Sequence, residues 1–156
     1  MILRQTLPCD AMTVSLFDQS SDAMVVRFAA GLHAGAFRML SQSRGSGISG
    51  WVALNLQPAV NAAPAVELGS RGADLVPRLQ SCLAVPLLDG ETLAAVLSVY
   101  SERPQAYTDD HVRLVELLSP RLAAALLASS NADEEPASAS TSGTGRLRLI
   151  KRTSLG

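Results

Sequence analysis

Two consecutive apolar segments constrain the fold of this chain more than any other feature. They run from Ser81 to Leu87 and from Leu93 to Ser101, and Asp89-Gly90 between them is a strong hairpin-turn signal. In each segment the residues on both sides of the alternation are apolar, so both faces of these strands must be covered. The sequence therefore predicts a central antiparallel hairpin, with helices on one side of the sheet and loops on the other.

A second hairpin is predicted near the start of the chain. Met12 to Phe17 and Met24 to Ala29 are rich in β-forming residues, and the polar stretch from Asp18 to Asp22 separates them. The residues from Gly31 to Ser43 lack a regular pattern, and we expect a loop with one helical turn there.

The stretch that follows is a glycine-punctuated loop running into a helix. Gly45 and Gly47 give the backbone freedom, and Ser46 or Ser49 is a candidate cap for a helix from about Ile48 to Leu56. The stretch lacks the lysine and the glycine spacing of a P-loop, so a nucleotide-phosphate site is not indicated.

The remaining elements are a short strand, a long connection and a final helix. Ala59 to Asn61 is a strand candidate at a sheet edge, because the preceding Pro58 cannot donate to a ladder. Residues from Ala62 to Arg78 show no clear element, and connections of this length are often functional loops. Thr108 is a suitable N-cap for a helix that we expect to end near Ala128.

Composition indicates one domain followed by a tail. The length of 156 residues favours a single domain, which we place at residues 1–128. Residues 129–156 are rich in Ser, Ala, Thr, Gly and Pro and are predicted to be a disordered tail with a basic end.

Several classes of partner and cofactor are disfavoured. The formal net charge of -1 argues against nucleic-acid binding by bulk electrostatics, and no apolar run approaches the roughly 20 residues of a membrane span. Cys9 and Cys82 have no metal-ligand spacing, so we expect neither a metal nor a cofactor. With no visible signal peptide, a reducing, cytoplasmic protein is predicted.

Five short motifs, in this order, resemble those of a GAF domain of the bacterial signalling type, as found beside diguanylate cyclase, histidine kinase or phosphodiesterase output domains. They are Gly47-Ile-Ser-Gly-Trp-Val-Ala53, Gln57-Pro-Ala-Val-Asn61, Ser81-Cys-Leu-Ala-Val-Pro-Leu87, Leu97-Ser-Val-Tyr-Ser101 and Ala106-Tyr-Thr-Asp-Asp110. Each motif is weak alone, and the resemblance rests on all five together, over roughly residues 9–128.

The resemblance implies an α+β, profilin-like fold. Its antiparallel sheet would have five or six strands, with the N- and C-terminal helices on one face and loops and short helices over a pocket on the other. The family begins with a full helix, of which we expect only Met1 to Leu7 here.

The resemblance also implies a function. A non-catalytic sensory or regulatory module would bind an unidentified small molecule, or relay a signal through its terminal helices, as a homodimer. Two alternatives stay open, namely a small redox enzyme similar to free methionine sulfoxide reductases and a ligand-free dimerisation module.

Five residues are candidates for lining the pocket, and all of them except Phe37 also have a simpler interpretation. They are Phe37, Trp51, Asn61, Glu67 and Arg71. Trp51 is otherwise a core residue, and Asn61 otherwise fastens the loop that follows it. Glu67 and Arg71, four residues apart, otherwise form an ion pair on a short helix.

Other sites are not favoured by the sequence. Cys82 lies in an apolar run, which is typical of a buried structural cysteine rather than a chromophore or redox site. His33 and His111 are isolated, and a lone histidine is a weak indication of heme. The signature of cyclic-nucleotide-binding relatives fails, because Ala62 follows Asn61 where that signature has lysine.

Overall fold

The computed structural model of the chain describes residues 7–69 and 78–141, with residues 130–141 through the backbone alone. Ten elements follow one another in these residues. They are β1 (Ala11–Asp18), β2 (Ala23–Gly31), α1 (Ala34–Phe37), β3 (Ser41–Ser43), α2 (Gly47–Asn55), β4 (Ala59–Ala62), α3 (Pro64–Leu68), β5 (Ser81–Asp89), β6 (Thr92–Ser101) and α4 (Asp109–Thr141).

The strands form one six-stranded sheet in the order β3-β2-β1-β6-β5-β4. Every neighbouring pair is antiparallel. The α+β fold with an antiparallel sheet and a C-terminal helix is thus confirmed. Both predicted hairpins are present, with β5 and β6 inside the sheet and β4 at its edge.

The two faces of the sheet are buried by different elements. On one face Cys82, Ala84, Val96 and Tyr100 belong to a single buried cluster with residues of α1, α2 and α3. The helical members of that cluster are Phe37, Ile48, Val52 and Leu68. The alternate residues of β5 and β6 are buried on the other face, namely Leu83, Val85, Leu87, Leu97 and Val99. We refer to the first face as the α1–α3 face.

The helix α4 is fastened to the sheet beside the second face. Val115, Ser119 and Ala123 are its buried residues and recur every fourth position, which places them on one side of the helix. The Ser119 hydroxyl donates to the Pro86 carbonyl oxygen and accepts from the Leu88 N–H, both at 3.3 Å. Pro86 and Leu88 lie in the part of β5 that has no residue of the short strand β4 beside it. The bonds to Ser119 satisfy their backbone groups on that edge.

Two elements were missed by the sequence analysis. The strand β3 has the sequence Ser-Gln-Ser, which carries no β signal, and it forms because Met24 of β2 pairs with Gln42. The helix α3 lies inside the predicted long loop and begins with Pro64, a residue favoured at the first position of a helix.

The final helix extends beyond its predicted end near Ala128. Its backbone is helical to Thr141, through a segment whose Ala132, Glu134 and Glu135 are good helix formers. Contacts divide the chain into one unit that ends at Ala123 and a second that begins at Ala124. The proposed domain limit at residue 128 stays a prediction. The suggested remnant of a first helix and the end of the tail fall on residues 1–6 and 142–156, outside the described residues.

No helix in the part of the chain that the structure describes combines the length and the apolarity needed to cross a membrane.

Candidate functional site

Four hydroxyl-bearing residues of the central strands lie together on the α1–α3 face of the sheet. Thr13 and Ser15 come from β1, and Ser98 and Tyr100 come from β6. Thr13 pairs directly with Ser98, while Ser15 pairs with Val96 and is diagonal to Ser98. Directly opposed and diagonal side chains on one face are neighbours, so these residues form one group, here called the hydroxyl cluster.

The hydroxyl cluster is buried and incompletely hydrogen-bonded. Thr13 is 2% exposed, Ser15 1%, and Ser98 and Tyr100 0%. The hydroxyl oxygens of Ser15, Ser98 and Tyr100 have no hydrogen-bond partner within residues 7–69 and 78–129. A buried polar group without a partner costs roughly 1–3 kcal/mol, so these three hydroxyls are the candidates for hydrogen bonds to water or to a bound polar molecule.

Tyr100 links the cluster to the helices above the sheet. Its ring lies 4.6 Å from that of Phe37 in α1, centroid to centroid. Cys82 is its cross-strand neighbour on β5. The Cys82 thiol and the Thr13 hydroxyl lie near the Tyr100 hydroxyl, but neither reaches hydrogen-bond geometry with it.

A buried carboxylate from α3 caps the N-terminus of α2. Glu67 is 2% exposed, and its Oε1 atom accepts from the N–H groups of Ile48 at 2.6 Å and Ser49 at 3.0 Å. Its Oε2 atom accepts from the Ser49 hydroxyl at 2.6 Å. These are the donors that an N-cap side chain would satisfy, and Ser46, the residue at the N-cap position, makes no such bond.

The glycine loop allows this cap to form. Gly47 has a φ of +65°, and a Cβ atom there would lie 2.8 Å from Glu67 Oε1 and 2.7 Å from the Gln42 side chain. The Gln42 side-chain amide in turn donates to the Glu67 carbonyl oxygen. Any larger residue at position 47 would therefore displace the carboxylate or the side chain of Gln42.

Asn61 fastens a loop rather than facing the hydroxyl cluster. Its side-chain amide donates to the Tyr107 carbonyl oxygen at 2.8 Å, and its Oδ1 atom accepts from the Tyr107 N–H at 3.0 Å. The loop that it holds is the one before α4, whereas the sequence analysis expected the loop after Asn61. Its left-handed backbone, with a φ of +55°, is one that asparagine tolerates.

The predicted site residues are only partly brought together. Phe37 is fully buried against Tyr100, and Glu67 lies buried at the start of α2. Trp51 is 43% exposed, so its interpretation as a core residue is wrong. Ile48 and Val52 supply the buried side of α2 instead. Arg71, and with it the proposed pair with Glu67, lies outside the described residues. A ligand-binding role for these five residues stays a prediction.

The hydroxyl cluster itself was missed by the sequence analysis. A signal for it exists, since Thr13, Ser15 and Ser98 are small polar residues in otherwise apolar strands. Thr13 and Ser15 share one face of β1, as Ser98 and Tyr100 share one face of β6. The pairing of β1 with β6, which joins the two halves of the cluster, has no local signature.

A groove elsewhere on the molecule is a second place where a small molecule could bind. It has a volume of about 470 Å³ and lies at the outer edge of β5, where Leu56, Pro58, Pro86, Ser119 and Pro120 contribute to its walls. None of the buried polar atoms that lack a partner belongs to a residue of this groove. We therefore place the candidate site at the hydroxyl cluster.

The electrostatics of the candidate site disfavour a thiolate. Burial, with the Glu67 carboxylate as a second cause, raises the pKa of the Cys82 thiol well above its ordinary value. Burial likewise raises the pKa of Tyr100. Both groups are therefore neutral near pH 7. In the described part of the chain no three His, Cys, Asp or Glu side chains are grouped so that they could hold a metal ion.

The raised pKa of Cys82 predicts a loss of stability at alkaline pH. Below the pKa of an unfolded-chain thiol, about 8.5, the thiol is protonated in both states and has no effect. Above it the unfolded state alone loses the proton, so the free energy of unfolding should fall by roughly 1 kcal/mol between pH 8.5 and 9.5. Urea denaturation of the wild type and of Cys82→Ala at several pH values measures this slope. Equal slopes for the two proteins would contradict the prediction, because every other titrating group is common to both.

Comparison with known families agrees with this architecture. Residues 2–127 match the sequence model of the GAF domain. The chain belongs to the GAF domain family. No curated protein matches the chain by sequence.

Solved structures similar to this GAF domain include several kinds of protein. The GAF domain of a Coxiella burnetii phosphoenolpyruvate-protein phosphotransferase is 20% identical with a TM-score of 0.70, and the match covers 85% of this chain and 80% of that one. NreA of Staphylococcus aureus, mutated in its nitrate-binding site, is 20% identical with a TM-score of 0.54, over 72% and 91% of the two chains.

An enzyme is also among these structures. The free methionine-R-sulfoxide reductase of Neisseria meningitidis, in complex with its substrate, is 19% identical with a TM-score of 0.58, over 80% of this chain and 69% of the reductase. At these identities the similarities establish the fold that the proteins share.

Proposed function

We propose that this GAF domain is a non-catalytic regulatory module that binds a small polar molecule at the hydroxyl cluster. It would act in the cytoplasm as a homodimer and relay the bound state through its terminal helices. The observation that carries the proposal is that the hydroxyls of Ser15, Ser98 and Tyr100 have no partner among the described residues.

The position of the cluster supports a ligand rather than a structural role. Structural polar groups in a sheet interior normally bond to one another or to the backbone, as Ser81 does through its hydroxyl to the Arg103 carbonyl oxygen at 2.6 Å. The hydroxyls of Ser15, Ser98 and Tyr100 make no such bond within the described residues. A bound molecule that supplied donors and acceptors would recover the free energy lost on burying them.

The non-catalytic part of the proposal is supported by the state of Cys82. A redox or nucleophilic cysteine reacts as its thiolate and is found in electropositive, partly exposed surroundings. Cys82 is 0% exposed, and its raised pKa has burial and the Glu67 carboxylate as its causes.

The dimeric part of the proposal is supported by α4. Leu117 is 78% exposed on this helix, two residues from the buried Ser119 that binds β5. An apolar side chain on the outward side of a helix is what an interhelical contact between two copies would cover.

Native mass spectrometry of the protein as purified tests the proposal. We expect the mass of a dimer with a retained small molecule, and loss of that molecule in the double variant Ser15→Ala/Ser98→Ala, which keeps the apolar interior. A dimer that never retains or binds a small molecule would support the alternative of a dimerisation module. Methionine sulfoxide reduction by the wild type that Cys82→Ser abolishes would establish the enzyme alternative.

A further inference from the structure

The interior of this GAF domain holds a negative charge that no described basic side chain balances. Glu67 is the one charged residue among the buried residues that the structure describes. All the arginines in residues 7–69 and 78–129 are exposed, namely Arg27, Arg38, Arg44, Arg78, Arg103, Arg113 and Arg121. Among the described residues, the one formal charge in the interior is therefore that of the Glu67 carboxylate.

The partners of Glu67 neutralise its charge only in part. The first turn of α2 presents the equivalent of about half a positive charge, and the Ser49 hydroxyl adds a dipole but no charge. A carboxylate oxygen has about two acceptor positions. Both positions of Oε1 are filled by the N–H groups of Ile48 and Ser49, whereas the Ser49 hydroxyl fills one position of Oε2. Among residues 7–69 and 78–129 no donor fills the second acceptor position of Oε2.

Glu67 lies in the same layer as the hydroxyl cluster. Its chain neighbour Leu68 and its bonding partner Ile48 both belong to the buried cluster that contains Cys82 and Tyr100. The charge of Glu67 contributes to the raised pKa of Cys82 and of Tyr100, which is a second sign that the carboxylate is close to these groups. A molecule bound at the hydroxyl cluster would therefore experience the field of Glu67.

We infer that Glu67 determines the charge class of the ligand, which is a neutral or cationic molecule that donates an N–H or O–H to the acceptor position of Oε2 that no described residue fills. The inference rests on the proposed function, since it specifies what the hydroxyl cluster binds. An anion would be placed beside a carboxylate of the same sign in an interior of low dielectric, where like charges repel strongly. A primary amide or an ammonium group meets the same carboxylate with a donor, and the hydroxyls of Ser15, Ser98 and Tyr100 bond to the rest of the molecule.

A thermal-shift comparison of matched probes tests the inference. The probes are acetate with acetamide, glutarate with glutaramide, and methylammonium as the cation, at equal ionic strength and pH 7. Each acid has nearly the shape of its amide, so that the charge and the N–H donors are what differ between them. We expect the amides and methylammonium to raise the Tm of the wild type, by about 3 °C when a probe exceeds its Kd roughly fivefold, and the carboxylates to leave it unchanged.

The variant Glu67→Gln supplies the matched control for charge. Its Oε1 atom can still accept from Ile48 and Ser49, and its amide can donate to the Ser49 hydroxyl. We expect carboxylates to stabilise this variant as their amides do, because the negative charge that repels them is gone. Ser98→Ala should weaken the effect of every probe without changing their order. Arg71→Ala should leave the order unchanged as well, and any dependence of carboxylate binding on Arg71 would contradict the inference.

The outcomes separate the inference from the proposed function. Carboxylates that stabilise the wild type as well as their amides do, or a retained molecule identified as an anion, would overturn the inference and leave the proposed ligand site intact. No stabilisation by any probe, together with no retained molecule in the native mass spectrum, would overturn both. If Glu67→Gln does not fold, the relative Tm shifts that the probes produce in the wild type still test the inference.

Discussion

Replacing Gly50 with alanine is expected to destabilise the domain by about 3 kcal/mol, which would lower the Tm by about 10 °C. A Cβ atom at this position would lie 2.2 Å from the Ser43 carbonyl oxygen, 3.2 Å from the Gly45 nitrogen and 3.3 Å from the Ser43 carbonyl carbon. All three are backbone atoms, so no side chain can rotate away to make room. The helix α2 must therefore move away from the loop before it.

That movement would break specific bonds. The Gly45 N–H donates to the Gly50 carbonyl oxygen at 2.8 Å, and the Ser46 N–H donates to the Ser43 carbonyl oxygen at 2.9 Å. Urea denaturation followed by circular dichroism measures the change. Gly35→Ala is the matched control, because a Cβ there meets no atom within 4 Å. In the helix α1 this control should leave stability unchanged or raise it by about 0.5 kcal/mol. Equal stability of the Gly50→Ala variant and the wild type would show that the helix does not approach the loop this closely.

The second large effect is expected for Glu67→Ala, which should destabilise the domain by on the order of 3 kcal/mol. The substitution removes the acceptor for the Ile48 and Ser49 N–H groups and for the Ser49 hydroxyl, all of them buried. The donors would be left without partners at a helix end that water does not reach. Hydrogen exchange of the Ile48 and Ser49 amides should accelerate as well, because the first turn of α2 would open more often.

Two further variants separate the cap from a general effect of changing α3. Val66→Ala alters the neighbouring residue, whose side chain is 57% exposed, and should change stability by less than about 0.5 kcal/mol. Glu67→Gln keeps an acceptor at Oε1 and should cost less than Glu67→Ala. A loss in Glu67→Ala no greater than that in Val66→Ala would rule out Glu67 as the cap of α2.

Much of the fold could be predicted because its signals are local. Asp89-Gly90 and the apolar faces of the segments around it are sufficient to predict the β5–β6 hairpin and its inner place in the sheet. The strand β3 could not be predicted this way. Ser41–Ser43 becomes a strand through its pairing with Met24 and Val25, and not through any propensity of its own.

The rotation of α2 shows why the site was only partly predictable. Ile48, Trp51 and Val52 recur at helical spacing, and the pattern does not tell which of them faces the sheet. The close approach of Gly50 to Ser43 fixes that rotation, and it leaves Trp51 on the exposed side. A close contact between two backbone segments produces no recognisable pattern in the sequence.

The same limit applied to the buried polar residues. Glu67 was among the predicted pocket residues, but its bonds to Ile48 and Ser49 span 19 and 18 positions of the chain and could not be predicted from the sequence. The hydroxyls of Ser15 and Ser98 become neighbours only when β1 pairs with β6. Small polar residues on strands this distant in sequence could therefore not be assigned to one site from the sequence.

The place of β1 in the sheet has a consequence for synthesis of the chain. β1 lies between β2 and β6, and Met12 pairs with Val99. A nascent chain that has not yet released β6 from the ribosome can form the β1–β2 hairpin, but an isolated hairpin is marginally stable at best. Contacts this distant in sequence slow folding, because a long loop must close before they form. Completion of the sheet during translation therefore waits until Tyr100 has emerged, and any fragment that ends before Val96 leaves the inner strand β1 with one edge unpaired.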